Sequence, residues 1–170
     1  FSYGVNYNLT YNKNEVTRID NSEGIIKGDE DVLWRHSEEM YRAEVGHPIG
    51  YFYGYKTAGV FQTQEEIDAY KGAKYDNTKP GDLIVVDTNN DGVIDTKDRT
   101  MIGNPYPKFT MGLSFNLAYK GFDMNVATVA SFGNQIAQSY RSYYDEPLEN
   151  YTTDIYDRWH GPGTSNKLPR

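Results

Sequence analysis

Three stretches of this chain alternate apolar and polar residues with a period of two. In the first, Phe1, Tyr3, Val5, Tyr7, Leu9 and Tyr11 are interleaved with Ser2, Gly4, Asn6, Asn8, Thr10 and Asn12. Successive side chains of an extended backbone point to opposite faces, so residues 1–12 are expected to form a strand with one apolar and one polar face. The pattern returns over residues 109–119, where Phe109, Met111, Leu113, Phe115, Leu117 and Tyr119 share a face. It appears again over residues 122–132, with Phe122, Met124, Val126, Thr128, Ala130 and Phe132 on one side; Val129, on the other, breaks the rule. Strands of globular proteins run to about 5–6 residues. These three are about twice as long and match the ~9–11 residues of a tilted strand that crosses a membrane.

The connections separate the candidate folds further. A two-residue turn at Lys120-Gly121 would set Tyr119 opposite Phe122, joining an odd-numbered apolar set to an even-numbered one on the same face. Residues 13–108 separate the first two strands, far too many for a loop without structure. Short turns on one side and long loops on the other characterise outer-membrane barrels. Residues 13–108 and 133–170 are therefore expected outside the cell, with Lys120-Gly121 on the periplasmic side. The predicted fold is all-β: an antiparallel transmembrane β-barrel segment with a long extracellular insertion, residues 1–170 belonging to one barrel domain. A soluble antiparallel sandwich, whose strands also alternate, is the competing fold. Inside the insertion, Thr63-Gln64-Glu65-Glu66 has the form of a capping box and predicts a short helix. Gly46, Pro48, Gly50, Gly54 and Gly59 punctuate an aromatic stretch and predict turns and short strands. The chain opens at Phe1 within a strand pattern and closes at Arg170 without a natural stop, so both ends are expected to be cut.

Composition narrows the function. Tyrosine contributes 16 residues, which favours β structure with amphipathic surfaces over disorder. The net charge of −7 excludes a nucleic-acid footprint, which would be basic. Cysteine is absent, removing disulfide frameworks and thiolate metal sites. No apolar run reaches the ~18 residues of a spanning helix, a test that strand-built barrels escape.

The sharpest motif is Asp87-Thr88-Asn89-Asn90-Asp91-Gly92-Val93-Ile94-Asp95-Thr96-Lys97-Asp98. It follows the twelve-position EF-hand loop: Asp87, Asn89 and Asp91 supply hard oxygens, and Gly92 permits the sharp turn. Val93 would ligate through its carbonyl and Asp95 through water, while Asp98 stands where glutamate is usual. The expected ion is Ca2+. Flanking strand and proline signals, from Leu83-Ile84-Val85-Val86 to Pro105 and Pro107, suit a structural site better than a sensor. A turn rich in Gly, Asp and Asn that binds nothing would share the sequence. Trp34, Tyr51, Tyr53, Tyr55, Tyr143 and Tyr144 are candidates for stacking on a sugar, against the alternative of packing within loops. His36, His47 and His160 show no catalytic-metal spacing, and no carboxylate pair can be singled out as a glycosidase dyad. No enzymatic activity is expected.

Several segments together resemble a known family. They are Gly46-His47-Pro48-Ile49-Gly50, Gly54-Tyr55-Lys56-Thr57-Ala58-Gly59-Val60-Phe61-Gln62, Pro80-Gly81-Asp82, the Asp-rich loop, Asp98-Arg99-Thr100-Met101-Ile102-Gly103-Asn104-Pro105 and Tyr119-Lys120-Gly121-Phe122-Asp123. In this order the chain is similar to the C-terminal part of SusC/RagA transporters, the TonB-dependent barrels of Bacteroidota. The likeness extends through Arg158-Trp159 to the segment from Asn166 to Pro169. It implies a bacterial outer-membrane barrel of about 22 strands, plugged by an N-terminal domain and set in outer-membrane lipid. It further implies a SusD-like surface lipoprotein as lid, and TonB as the energy source for import of oligosaccharides or peptides. The plug, the TonB box and most strands are missing from this chain. The alternative function is a soluble β-rich calcium- or carbohydrate-binding module.

Overall fold

The computed structural model describes residues 1–30, 39–138 and 152–170. In chain order the strands are β1 (Ser2–Tyr11), β2 (Ile25–Lys27), β3 (Tyr41–Glu44), β4 (Tyr51–Gly54), β5 (Thr57–Val60), β6 (Leu83–Val85), β7 (Thr100–Gly103), β8 (Phe109–Tyr119) and β9 (Phe122–Phe132). One α-helix, α1 (Gln64–Ala69), lies between β5 and β6, and 3-10 turns occupy Thr96–Asp98 and Thr153–Asp157. The chain divides into two compact units, one comprising Phe1–Asp29, Tyr41–Phe52 and Gly103–Gln138, the other Glu30–Met40, Tyr53–Ile102 and Ser139–Arg170.

The long strands dominate the first unit. They form an antiparallel sheet in the order β1-β8-β9. Pairing runs without slippage from Ser2↔Ala118 to Tyr11↔Phe109, and from Phe109↔Phe132 to Tyr119↔Phe122. The expected turn is present: Lys120 and Gly121 both have positive φ, 47° and 86°, the primed geometry whose twist suits a two-residue hairpin. Gly121 takes this conformation without steric cost, and Lys120 is one of two non-glycine residues that share it among those described. The register stacks all three apolar sets on one face: Tyr7, Leu113 and Thr128 stand in line, as do Val5, Phe115 and Val126. The polar sets line up behind them, with Asn6 Nδ2 donating to Ser114 Oγ at 3.3 Å and the Gly112 N–H donating to Asn8 Oδ1 at 3.0 Å. Among the described residues the sheet is open, with β1 and β9 as its outer strands and no closed barrel.

The same unit also holds a small antiparallel arrangement, Ile25↔Glu44 in β2–β3 and Tyr41↔Phe52 in β3–β4. Its core is Tyr51 and Phe52, with Phe52 packed 5.3 Å from the Tyr41 ring.

The second unit is built around the β5–β6 hairpin. Val60 faces Leu83 there, and the register shifts between Thr57 and Gly59. Gly59 has φ +134°, and a Cβ at that position would meet Asn166 Oδ1 at 2.6 Å, so only glycine fits this bulge. Val60, Phe61, Ile67 and Ile94 form the buried core. The predicted helix is present: Thr63 is its N-cap, and its hydroxyl accepts the Glu66 N–H at 3.2 Å. The reciprocal half of the capping box is displaced by one residue, since Glu66 Oε2 accepts the N–H of Gln62 at 2.6 Å rather than that of Thr63.

Candidate functional site

The largest functional feature is the apolar face of β1-β8-β9. Along β1, Tyr3, Val5, Tyr7, Leu9 and Tyr11 are all more than half exposed, and Phe122 at the turn is 82% exposed. Alternation produces this face, and nothing in the first unit covers it. Aromatic rings gather at its two ends: Phe1 packs edge-on to Tyr119 at 6.1 Å near the turn, and Tyr11 lies 5.1 Å from Phe109 at the other end. Aliphatic residues such as Val5, Leu113 and Val126 occupy the middle. Val129, opposite Gly112 on the polar side, is 86% exposed.

The Asp-rich loop closes on itself. Asp87 accepts the N–H groups of Asn90 at 2.6 Å and Gly92 at 2.9 Å; Asn90 (φ 59°) and Gly92 (φ 85°) turn the chain back toward it. Asn89 Oδ1 accepts from the Asp91 N–H at 3.0 Å, and Asp91 Oδ1 from the Val93 N–H at 3.0 Å. Asp95 caps the following 3-10 turn and also pairs with the Lys97 ammonium at 3.4 Å. Asp98 is fully buried, its two oxygens accepting from the N–H groups of Thr88 (2.9 Å) and Asp95 (2.8 Å). The Asp95 N–H bond is the main influence holding the Asp98 carboxyl below its ordinary pKa; burial opposes it, and the N–H groups of Thr88 and Asn89 add to the lowering.

The sequence therefore located the loop, and the structure shows its oxygens engaged by the loop's own backbone. Among the described residues no three His, Cys, Asp or Glu side chains are grouped to hold a metal ion. The donor set is still hard oxygen throughout, and each carboxylate oxygen keeps a second lone pair beyond its N–H bond. The flanks are β6 and β7 rather than two helices, as the proline and strand signals indicated.

The described aromatic candidates differ in burial. Tyr51 is 1% exposed, its hydroxyl donating to Glu44 Oε2 at 2.6 Å and its ring 5.0 Å from His47, so it is a core residue with no free face for a sugar. Tyr53 is half-buried beneath the Arg99 guanidinium, 4.8 Å from the ring centre, and Arg99 also donates to the Glu39 carbonyl. Tyr55 is half-buried. Trp34, Tyr143 and Tyr144 lie outside the described residues.

Sequence reasoning passed over Gln62, whose amide is fully used. Nε2 donates to the carbonyls of Val60 (2.7 Å) and Ser165 (3.0 Å), and Oε1 accepts from Trp159 Nε1 (3.1 Å) and the Gly163 N–H (2.9 Å). Asn166 and Arg170 reinforce the same docking, through the Val60 N–H at 3.1 Å and Asp82 at 2.9 Å. Burial alone would raise the Asp82 carboxyl, but the Arg170 hydrogen bond, the Lys79 N–H and both positive charges hold it below the ordinary value.

No family model matches the chain. Among curated proteins it is 30% identical over 170 residues to "TonB-dependent receptor P3" of Formosa agariphila, an alignment covering 100% of this chain. It is 29% identical over 206 residues to "TonB-dependent receptor P39" of the same organism, covering 99% of this chain. "TonB-dependent receptor SusC" of Bacteroides thetaiotaomicron is 28% identical over 148 residues, covering 85% of it. Each of these relatives is a TonB-dependent receptor, and the chain is similar to one stretch of it. The chain spans 17%, 19% and 13% of the lengths of these three relatives. TonB-dependent receptors are a transporter family of the outer membrane and not an enzyme family.

Proposed function

We propose that this chain forms part of the barrel wall of an outer-membrane transporter that imports oligosaccharides or peptides with TonB and a SusD-like surface lipoprotein. The observation that carries the reading is the continuous, exposed apolar face of three strands in perfect register. A soluble sandwich would need a second layer over that face; a barrel places it against lipid. The dimensions agree. The strands β8 and β9 have 11 residues each, about 37 Å at ~3.4 Å per residue, or ~26 Å along the membrane normal at a ~45° tilt. The apolar band of such barrels is ~25 Å tall and bordered by aromatic girdles. The rings of Phe1 and Tyr119 at one end, and of Tyr11 and Phe109 at the other, stand where those girdles belong.

The loop from Asp87 to Asp98 is proposed to bind Ca2+ in the extracellular insertion. Its support is the twelve-position spacing together with the turn geometry at Asn90 and Gly92. Asp87, Asn89, Asp91, Asp95, Asp98 and the Val93 carbonyl would be its ligands, and a bound ion would offset the repulsion among four carboxylates.

This chain contains no cysteine, so single cysteines placed along β8 test the lipid-facing claim in the intact receptor once every cysteine outside this stretch has been replaced. Cysteines at Leu113 and Phe115 should react with a membrane-soluble maleimide, and those at Ser114 and Asn116 with a water-soluble one. Equal reaction of all four with the water-soluble reagent would remove the barrel reading in favour of a soluble module.

A further inference from the structure

The apolar face of β1-β8-β9 differs in charge between its two ends. At the hairpin end the Lys120 ammonium stands over the Tyr119 ring, 5.3 Å from its centre. Tyr119 belongs to the apolar set, so this contact draws the cation to the apolar side of the sheet. Phe1, Tyr3 and Phe122 share that end of the face and are 82%, 71% and 82% exposed. Among the described residues no carboxylate pairs with Lys120. Asp123, the carboxylate of this end, belongs to the polar set and faces Ala118. At the opposite end Lys13 follows Tyr11 in step with the apolar set, but its ammonium is paired with Glu15 at 2.8 Å. Lys108, also at that end, keeps step with the polar set. The apolar face thus terminates in an unneutralised cation at the hairpin and in an ion pair at the other end.

We propose that Lys120, seated on Tyr119, binds the phosphate of an anionic phospholipid. The proposal rests on the barrel reading, which puts this face against acyl chains and the short hairpin in the periplasmic headgroup layer. The face itself specifies the occupant. A molecule covering it must lay apolar chains along Tyr3, Val5 and Met124 and carry an anionic group at the level of Lys120. A phospholipid does both. A lysine stem lies along apolar surface while its ammonium reaches the headgroups. The Tyr119 ring holds that ammonium in place beforehand, so less side-chain freedom is lost on binding. Phosphatidylethanolamine answers its own phosphate with an ammonium, whereas phosphatidylglycerol leaves its charge unmet and is the better ligand.

The test uses the intact receptor in vesicles of phosphatidylethanolamine with phosphatidylglycerol as the minor component. A benzoyl-phenylalanine crosslinker replaces Met124, the next apolar-face position along β9 after Phe122, opposite Leu117. After irradiation, mass spectrometry reads the headgroups of the attached lipids. Phosphatidylglycerol should exceed its share of the vesicle by about fivefold, the gain expected from one lysine beside anionic lipid. The excess should vanish in Lys120→Gln, persist in Lys120→Arg, and be absent with the crosslinker at Leu9, toward the other end. Adducts in bulk proportion at Met124, or an excess unchanged in Lys120→Gln, overturn the proposal. Loss of the excess when inorganic phosphate replaces chloride at equal ionic strength assigns Lys120 to free anions and equally overturns it. No lipid adduct at either position removes the barrel reading itself, a result distinct from adducts in bulk proportion.

Discussion

Placing arginine along β8 measures the membrane geometry directly. Ser114 is the central residue of the eleven in β8. At ~3.4 Å per residue and a ~45° tilt, each position climbs ~2.4 Å along the membrane normal. Leu113, one position from the centre on the apolar face, would lie ~2–3 Å from the midplane, and Tyr119, five positions away, ~12 Å from it. An arginine on the lipid face costs about 2–4 kcal/mol at the midplane and ~0–1 kcal/mol near the interface. Leu113→Arg should therefore lower the folding equilibrium constant roughly 30- to 700-fold, at ~1.4 kcal/mol per tenfold, while Tyr119→Arg changes it fivefold or less. Ser114→Arg, directed to the polar face, should resemble Tyr119→Arg. The assay is a urea titration of the intact receptor in phospholipid vesicles, following the folded species by its migration in unboiled gel samples. Equal costs at Leu113 and Tyr119, or a larger cost at Ser114 than at Leu113, would refute the assignment of faces and depth.

Three further outcomes are expected. Gln62→Ala leaves the Trp159 indole N–H and the Gly163 N–H without their acceptor; with a local cost of ~2–3 kcal/mol, amide exchange over residues 159–168 should accelerate by roughly 30- to 150-fold, and an unchanged rate would show that the docking does not depend on this amide. Ca2+ should protect residues 82–104 from proteolysis, and Asp91→Ala should abolish that protection; digestion indifferent to calcium in the unsubstituted protein would end the ion-binding proposal. Asp82 and Asp98 both have depressed carboxyl pKa values. Their stabilising contribution is complete above the ordinary Asp value near ~3.9 and is lost as pH falls through the lower folded values. The near-ultraviolet dichroism around Trp159 should therefore hold from neutrality to about pH 4 and decay below it, whereas a loss already under way between pH 7 and 5 would contradict the linkage.

What could be read from the residues alone followed from periodicity. The strands β8 and β9 and the Lys120-Gly121 turn were legible because one side-chain alternation fixes both face and register over eleven residues. α1 was legible through Thr63, although the Glu66 side chain took the N–H of Gln62, a choice between adjacent donors that spacing does not decide. The Asp-rich loop was legible as a turn, because Asp, Asn and Gly favour such backbone conformations locally. Long-range partners were not. Gln62 gains its meaning from Trp159, Gly163 and Ser165, about a hundred positions away, and nothing in the residues around Gln62 marks that meeting. Tyr51 illustrates the same limit: an aromatic residue in a glycine-rich stretch reads equally as a ligand platform or as core, and the Glu44 carboxylate that accepts its hydroxyl makes it core.

The central claim is that the β1-β8-β9 face lies against lipid in an outer-membrane protein. The most direct measurement is fractionation of the source cells, with peptides of this sequence located by mass spectrometry and the parent band sized. The account predicts an outer-membrane band several times the 19.4 kDa of this chain, co-purifying with a surface lipoprotein. A water-soluble band near that mass would contradict it, and the calcium- or carbohydrate-binding module would take its place.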